Sequence, residues 1–230
     1  MGTIRRTLAL ALCFASITLS TAPGCSSSAP LTFRTSDGFE LEAREFGAGP
    51  KGVVLAHMRS SDMGAWEDFA ESLADDGYHV ITFNFRGHGD SEGRKDIGVI
   101  DRDVTAAARY LKAKRVTKIA LIGASMGGTA ALIAAAGTEM AVATLSAPLS
   151  FEGLEAGSKL TSISGPKSFI ASLKDGQAAK DAEEMFRLAG DPQADLKLLP
   201  GDAHGTDVLE SDQGEEVSKV LLDFLERFHA

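Results

Sequence analysis

The residues best suited to carry chemistry surround Ser125, in a Gly-Ala-Ser-Met-Gly segment at positions 123–127. An apolar run from Ile119 to Ile122 precedes this segment and predicts a short buried strand. A run of small residues from Thr129 to Ala136 follows it and predicts a helix packed closely on a sheet. A serine on such a tight strand-to-helix turn projects its hydroxyl clear of the sheet. The pattern predicts a nucleophilic serine; the alternative is a glycine-rich turn that holds an unreactive one.

A serine hydroxyl is a poor nucleophile at neutral pH until a neighbouring imidazole takes its proton, so a histidine is required. Among the five histidines of the chain, His204 follows the last predicted strand, in a loop of small residues at 201–205. His204 is therefore the candidate base, and the alternative is a solvated loop histidine. The remaining histidines lie at strand ends, in a loop before the serine, or near the C-terminus: His57, His79, His88 and His229.

The carboxylate that orients this histidine is expected after the strand predicted from Lys167 to Leu173. Asp175 follows that strand directly and precedes a glycine. Asp202 is closer to His204 in sequence but belongs to the same loop, and Asp181 falls on a predicted helix. We expect Asp175 to be the acid, with Asp202 as the alternative.

The elements that must position these residues alternate along the chain. Two extended segments, Leu31 to Ser36 and Phe39 to Phe46, flank an Asp-Gly pair that is a strong signal for a hairpin. Strands and helices then alternate, which predicts a mostly parallel central sheet with helices on both faces. Residues 149–166 are expected to be irregular or to form a short helix. The later strands are predicted at 53–56, 78–85, 118–122, 140–145, 167–173 and 196–199, and the helices at 65–75, 99–112, 129–136, 177–188 and 215–228.

Three segments of the chain resemble the α/β-hydrolase superfamily: Asn-Phe-Arg-Gly-His-Gly-Asp-Ser-Glu-Gly at 84–93, the serine turn at 123–128, and Ala-His-Gly at 203–205. The resemblance extends from about Leu31 to the end and is closest to small esterases and dienelactone-hydrolase-like members. It implies an α/β-hydrolase fold without a large cap domain. It also implies a triad of Ser125, Asp175 and His204, and a structural role for the loop at 86–93.

Attack on a carbonyl creates an oxyanion that two N–H groups must stabilise. One donor is expected to be the amide of Met126, directly after the serine. The resemblance implies that the other lies in the loop after the strand at 53–56, where the family has His-Gly-x and x donates. Here the loop is His57-Met58-Arg59, which puts Arg59 in the donor position and leaves the Met58 amide as the alternative. Both side chains are expected near the mouth of the site, where Arg59 either meets a substrate carboxylate or is a solvated charge.

Length and composition exclude several classes of protein. The chain has 230 residues, of which 44% are hydrophobic and 24% charged, as expected for one globular α/β domain. A net charge of −9 gives no basic surface for nucleic acid. The predicted chemistry requires no metal ion and no organic cofactor.

The first 25 residues predict an export signal. Arg5 and Arg6 precede a short apolar stretch from Leu8 to Leu19, and small residues follow up to Cys25. The Ala-Pro-Gly-Cys segment at 22–25 resembles a bacterial lipobox, which would place a lipid on Cys25 and give the membrane contact that we expect. The predicted organisation is a signal at 1–25, a tether at 26–30 and the catalytic domain at 31–230. The expected location is the bacterial cell envelope, and the alternative is a secreted protein.

These observations together predict a serine hydrolase that cleaves a carboxylic ester or thioester of a small-molecule substrate through an acyl-enzyme. Two alternatives keep the same site, namely hydrolysis of a lactone or dienelactone and cleavage of a peptide. A third alternative is a lipoprotein of the cell surface that keeps the fold for binding and has lost catalysis.

Overall fold

The computed structural model describes residues 29–229. The predicted export signal, including Cys25, lies outside the described residues. The first strand begins at Ala29, so the last two residues of the predicted tether belong to the sheet. Among the described residues, no helix is long and apolar enough to cross a bilayer.

Within residues 29–229, eight strands form one central sheet in the order β1-β2-β4-β3-β5-β6-β9-β10. The first two pairings, β1 with β2 and β2 with β4, are antiparallel, and the remaining pairings are parallel. Strands β7 and β8 form a separate short hairpin. The strands are β1 Ala29–Arg34, β2 Glu40–Phe46, β3 Lys51–Ala56, β4 Tyr78–Phe83, β5 Lys118–Ala124, β6 Ala141–Leu145, β7 Ser150–Phe151, β8 Leu154–Glu155, β9 Lys167–Ser172 and β10 Ala194–Leu199.

Five α-helices cover both faces of the described sheet. In α1, α2, α4 and α5 the apolar residues recur at helical spacing and are buried against the strands, whereas α3 is apolar and buried on nearly all sides. The helices are α1 Glu67–Asp75, α2 Asp101–Ala113, α3 Met126–Ala135, α4 Gly176–Ala189 and α5 Gly214–His229. Short 3₁₀ segments lie at Met63–Trp66, Ile97–Val99, Gly157–Ser162 and Gly205–Glu210.

An apolar core lies on each face of the sheet. Side chains along each central strand alternate between these two cores, because successive residues of a strand point to opposite faces. In β3, Val54 belongs to the apolar core on the face covered by α2, α3 and α4, whereas Val53 and Leu55 belong to the core on the face covered by α1 and α5. Strands β5 and β6, buried on both faces, are almost uniformly apolar, as is typical of parallel strands covered by helices. The predicted α/β fold without a large cap domain is confirmed.

The segment between β6 and β9 differs from the sequence-based prediction. The 3₁₀ segment Gly157–Ser162 is a short helix, as one of the two expectations had it, but the β7–β8 hairpin was not predicted. Glu152 and Gly153 form the hairpin turn with φ values of 43° and 95°. A left-handed glutamate is rare, so no local sequence signal pointed to a turn at this position.

The loop at 86–93 is held by a buried ion-pair network. Arg86 is 3% exposed, and its backbone N–H, Nε and Nη2 all donate to the carboxylate of Asp103. Its two terminal nitrogens, Nη1 and Nη2, donate to Asp37 at 2.9 and 3.2 Å, and these bonds hold the pKa of the Asp37 carboxyl well below its usual range. The Oγ of Ser91 donates to the carbonyl of Asn84 at 2.7 Å. These contacts tie the loop to α2 and to the β1–β2 hairpin.

Candidate active site

Ser125 lies on the sharp turn between β5 and α3. Its φ and ψ angles are 49° and −122°, a conformation that residues with a Cβ rarely adopt. Its N–H donates to the carbonyl of Leu145 at 2.8 Å, and its own carbonyl accepts from Gly128 at 2.9 Å. Hydrogen bonds of both its N–H and its carbonyl therefore hold the backbone of Ser125, which places the hydroxyl at the carboxyl edge of the sheet.

Close backbone contacts explain the glycines of this turn. A Cβ on Gly123 would lie 2.3 Å from the carbonyl oxygen of Gly127. A Cβ on Gly127 would lie 2.5 Å from the carbonyl oxygens of both Ala56 and His57. No side chain can occupy such a space, so glycine allows α3 to begin directly against the end of β3. This contact places the first turn of α3 beside the loop that follows β3.

Three predicted residues meet at the carboxyl ends of β5, β9 and β10. The Nε2 of His204 lies 2.9 Å from the Oγ of Ser125. The Nδ1 of the same ring lies 2.9 and 3.0 Å from the two carboxylate oxygens of Asp175. A carboxylate only accepts, so Nδ1 carries the hydrogen and Nε2 is free to accept the serine proton.

Exposure differs among these three side chains. Ser125 is 9% exposed, and the side chain of Asp175 is 12% exposed, whereas the side chain of His204 is 41% exposed. A carboxylate screened from water acts more strongly on the imidazole that it contacts. The imidazole can reach both the serine and a molecule that arrives from solvent.

Hydrogen bonds join the loop that carries Asp175 to the loop that carries His204. The N–H groups of Leu173 and Lys174 donate to the carbonyls of Leu199 and Gly201 at 2.7 and 2.9 Å. The buried Oγ of Ser172 donates to the carbonyl of Ala203 at 2.7 Å, directly before His204. Ser172 was not predicted as a site residue, because nothing in its local pattern indicates a partner 31 residues away.

Asp202 and Asp181 do not meet His204. The carboxylate of Asp202 makes no hydrogen bond or ion pair with any residue between 29 and 229, and the residue is exposed. Asp181 accepts from the N–H of Leu149 at 3.0 Å and from the side-chain amide of Gln177 at 2.8 Å. Among the residues that the structure describes, Asp175 is thus the carboxylate that contacts His204.

The loop after β3 is organised around the buried His57. Its Nδ1 lies 2.7 Å from the carbonyl oxygen of Met58, and its Nε2 accepts the N–H of Phe85 at 3.2 Å. The N–H of Ser61 also donates to the carbonyl of Met58, at 3.3 Å. In a trans peptide the N–H points away from the carbonyl, so the N–H of Arg59 points away from His57 and Ser61.

The environment of His57 keeps its ring neutral. Burial lowers the pKa of His57 to about 4, because the charged form loses its hydration. The ring packs edge-on against Phe85 and His88, with centroid distances of 4.9 and 5.1 Å. A neutral ring with the hydrogen on Nδ1 satisfies both hydrogen bonds of this histidine.

Three amides near Ser125 have no protein acceptor. Within residues 29–229, neither the N–H of Met126 nor that of Met58 or Arg59 donates to a protein group. Met126 is the first residue of α3, where backbone N–H groups are unpaired and attract negative charge. These free amides are available to a ligand.

The side chains of Met58 and Arg59 behave differently from each other. Met58 is 5% exposed, and its sulfur would lie 2.8 Å from a Cβ on Gly205, so it packs under the His204 loop rather than lining the mouth. Arg59 is exposed and pairs with the Glu152 carboxylate at the turn of the β7–β8 hairpin. Its guanidinium lies 5.7 Å from the ring centre of Phe151. Arg59 is therefore neither free for a substrate carboxylate nor a purely solvated charge.

A metal centre is not evident in the described part of the chain. Among residues 29–229, no group of three or more His, Cys, Asp or Glu side chains is arranged to hold a metal ion.

Comparison with known families agrees with this architecture. A family model described as the alpha/beta hydrolase fold matches residues 51–191, which is more than half of the chain. The protein therefore belongs to the α/β-hydrolase family.

Solved structures with the same fold include two esterases and a dienelactone hydrolase. The chain is similar to an esterase of Pyrococcus furiosus, with a TM-score of 0.78, 20% identity and coverage of 89% of this chain and 92% of that one. It is similar to a thermophilic esterase of Thermogutta terrifontis, with a TM-score of 0.72, 19% identity and coverage of 88% and 100%. It is also similar to a dienelactone hydrolase of Anabaena variabilis, with a TM-score of 0.74, 19% identity and coverage of 89% and 99%. At these identities the likeness establishes the fold.

Proposed function

We propose that the protein is a serine hydrolase that cleaves carboxylic esters or thioesters through an acyl-enzyme. The observation that carries the proposal is the relay from Ser125 Oγ to His204 Nε2, at 2.9 Å, and from His204 Nδ1 to Asp175, at 2.9 Å. Nucleophile, base and orienting acid thus stand at hydrogen-bond distance in the order that acyl transfer requires.

Acylation begins when the Oγ of Ser125 attacks the carbonyl carbon of the ester. His204 takes the hydroxyl proton at Nε2, and the carbonyl electron pair moves onto oxygen. The tetrahedral intermediate collapses, the bond to the leaving oxygen or sulfur breaks, and His204 returns the proton to the departing alcohol or thiol. Asp175 stabilises the imidazolium that exists between these two transfers.

Deacylation repeats the sequence with water. His204 takes a proton from a water molecule, whose oxygen attacks the acyl-enzyme carbonyl. The bond to the Oγ of Ser125 breaks, His204 returns the proton to Ser125, and the carboxylic acid leaves. We assign the N–H groups of Met126 and Arg59 to the oxyanion in both halves, and both are free of protein acceptors within residues 29–229. The N–H of Met58 is equally free and is the alternative second donor.

The absence of a cap favours substrates that can enter from open solvent. In the described chain, only the β7–β8 hairpin and the 3₁₀ segment Gly157–Ser162 stand between β6 and β9. We therefore expect short or flexible esters to be better substrates than long peptides. Measurement of kcat/KM on a panel of esters, thioesters, lactones and aminoacyl amides ranks these substrate classes.

The test of the proposal is the Ser125→Ala variant. We expect kcat for short p-nitrophenyl esters to fall by about 10⁴ or more, because the nucleophile is removed. A fluorophosphonate probe should label the wild type at Ser125 and leave the variant unlabelled. Ser150→Ala, which removes an exposed hydroxyl from the hairpin, is the matched control and should keep wild-type turnover. Undiminished turnover by the Ser125→Ala variant, with an unchanged melting temperature, would refute the proposal.

We further propose that the protein is exported and anchored in the cell envelope through a lipid on Cys25. The support is the order of charged, apolar and small residues in 1–25. In bacteria that express the full chain, a palmitate analogue should label the wild type and fail to label Cys25→Ala. Equal labelling of both proteins contradicts the anchor.

A further inference from the structure

The β7–β8 hairpin reaches across to the loop that supplies the proposed second oxyanion donor. At the hairpin turn, Glu152 pairs with the guanidinium of Arg59, which also lies 5.7 Å from the ring centre of Phe151. Arg59 and Glu152 are 93 residues apart in sequence, so only the fold brings them together. The inference drawn from this contact rests on the proposed function and assigns a role to Glu152 within it.

The hairpin presents Glu152 from a fixed position. Phe151 pairs with Leu154 across the two strands, and Leu154 is 1% exposed within the core. A Cβ on Gly153 would lie 3.2 Å from the Cα of Gly98, so the turn packs closely on the 3₁₀ segment Ile97–Val99. Contacts with the core and with this 3₁₀ segment therefore hold the turn in place.

The peptide between Met58 and Arg59 is anchored unequally at its two ends. Its carbonyl accepts from His57 and Ser61, at 2.7 and 3.3 Å. Its N–H has no acceptor in the described chain, and Ser60, which follows, is exposed. On the Arg59 side, the side chain ties the loop to the β7–β8 hairpin through its ion pair with Glu152 and its contact with the Phe151 ring.

We propose that Glu152 is a positioning residue, which holds the Arg59 side chain and thereby keeps the Arg59 N–H in place at the site where the oxyanion forms. A donor accelerates the reaction only when it is already aimed at the place where the negative charge develops. The bonds to the Met58 carbonyl set the direction of this N–H. Without the ion pair, the exposed Arg59–Ser60 end of the loop can shift and carry the N–H away from the oxyanion. The effect therefore falls on stabilisation of the transition state and not on substrate binding.

The main experiment compares Glu152→Gln with wild type, after fluorophosphonate labelling has verified that Ser125 is reactive. On a short neutral p-nitrophenyl ester, kcat should fall about two- to fivefold, the range expected when an exposed ion pair is lost, and KM should stay within about twofold. Affinity for a phenylboronic acid, which forms a tetrahedral adduct with the serine, should fall by the same factor as kcat. The matched control is Glu155→Gln, in the same hairpin, which removes an exposed carboxylate that has no ion pair within residues 29–229.

The second test exchanges the charges of Arg59 and Glu152, so that the ion pair is kept with its two members in swapped positions. Arg59→Glu should lower kcat about tenfold through repulsion of Glu152, and the double variant Arg59→Glu/Glu152→Arg should recover to within about threefold of wild type. Raising NaCl from about 0.05 to about 1 M should bring wild-type kcat toward that of Glu152→Gln, since salt screens exposed pairs. Glu152→Gln itself should show little dependence on salt.

The outcomes separate the positioning role from the proposed function. A wild type with neither labelling nor ester turnover overturns both. Normal wild-type turnover, with unchanged kcat and boronate affinity in Glu152→Gln, overturns only the positioning role. The positioning role is also overturned if Glu152→Gln hydrolyses esters that carry a carboxylate faster than wild type does. Arg59 would then be a substrate-binding group that Glu152 blocks. Melting temperatures of all variants verify that each comparison is made between folded proteins.

Discussion

At the scale of single residues, the contact between Asp175 and His204 determines which nitrogen of the ring carries the hydrogen. Both carboxylate oxygens of Asp175 lie within 3.0 Å of Nδ1, so the hydrogen on that nitrogen is held in place. In the neutral ring the opposite nitrogen, Nε2, is then the acceptor, and it lies 2.9 Å from the Oγ of Ser125. A substitution that removes the charge of Asp175 but keeps its shape leaves the His204 ring present. It therefore tests how much the orientation of that ring contributes to catalysis.

Replacement of Asp175 by Asn should lower kcat for a p-nitrophenyl ester by about 10⁴, because the amide can stabilise the wrong tautomer. KM and the melting temperature should change little. Asp202→Asn is the control, since the Asp202 carboxylate is exposed and contacts no partner in residues 29–229. If Asp202→Asn lost as much activity as Asp175→Asn, the assignment of the acid would be wrong.

At the scale of elements, the site depends on how closely α3 approaches the end of β3. The missing side chain of Gly127 leaves space for two backbone carbonyls, those of Ala56 and His57. The same contact sets the distance between the start of α3 and the loop that holds Met58 and Arg59. A change at Gly127 should therefore affect both stability and the oxyanion donors.

Gly127→Ala should destabilise the protein by about 1 to 3 kcal/mol, because its Cβ would overlap backbone that cannot move aside freely. For a chain of this size, the melting temperature should fall by roughly 2 to 12 °C. The displaced donors should reduce kcat/KM by about 10²-fold.

The control for Gly127→Ala is Gly157→Ala. A Cβ on Gly157 would meet only side-chain atoms of Leu149, at 3.5 Å or more, which is ordinary contact. Calorimetry and steady-state kinetics on both variants test the argument. Equal melting temperatures for the two variants would contradict the close packing of α3 on β3.

At the scale of the whole molecule, buried histidines make the free energy of unfolding depend on pH. Burial lowers the pKa of His57 to about 4 and also lowers the pKa values of His88 and His229. In the unfolded chain these rings titrate near pH 6.5. Below that pH the unfolded state binds more protons than the folded state, so stability is complete above about pH 6.5 and is lost as the pH falls toward 4.

His57→Asn should flatten this dependence. Each histidine that titrates only when unfolded contributes a slope of up to about 1.4 kcal/mol per pH unit, and the variant lacks one of them. Urea unfolding at several pH values between about 7 and 4.5 measures the slope for wild type and variant. Ser125→Ala, which removes no group that titrates in this range, is the control. Identical slopes for wild type and His57→Asn would mean that His57 is protonated in the folded protein.

The fold class was predictable from the sequence because its signals are local. Apolar strands alternate with amphipathic helices, and an Asp-Gly turn joins the first two strands. The glycines around Ser125 and the small loop around His204 are likewise local patterns. They identified two residues that the structure brings to 2.9 Å from each other.

The tertiary structure alone decided which distant segments meet. Asp202 is two positions from His204 in sequence, yet the carboxylate beside His204 is that of Asp175, because the ends of β9 and β10 are adjacent in the sheet. The hydrogen bonds of His57 and the pairing of Arg59 with Glu152 likewise join segments far apart in the chain. Local spacing determines which elements form, whereas contacts between them depend on the order in which the strands pack into the sheet.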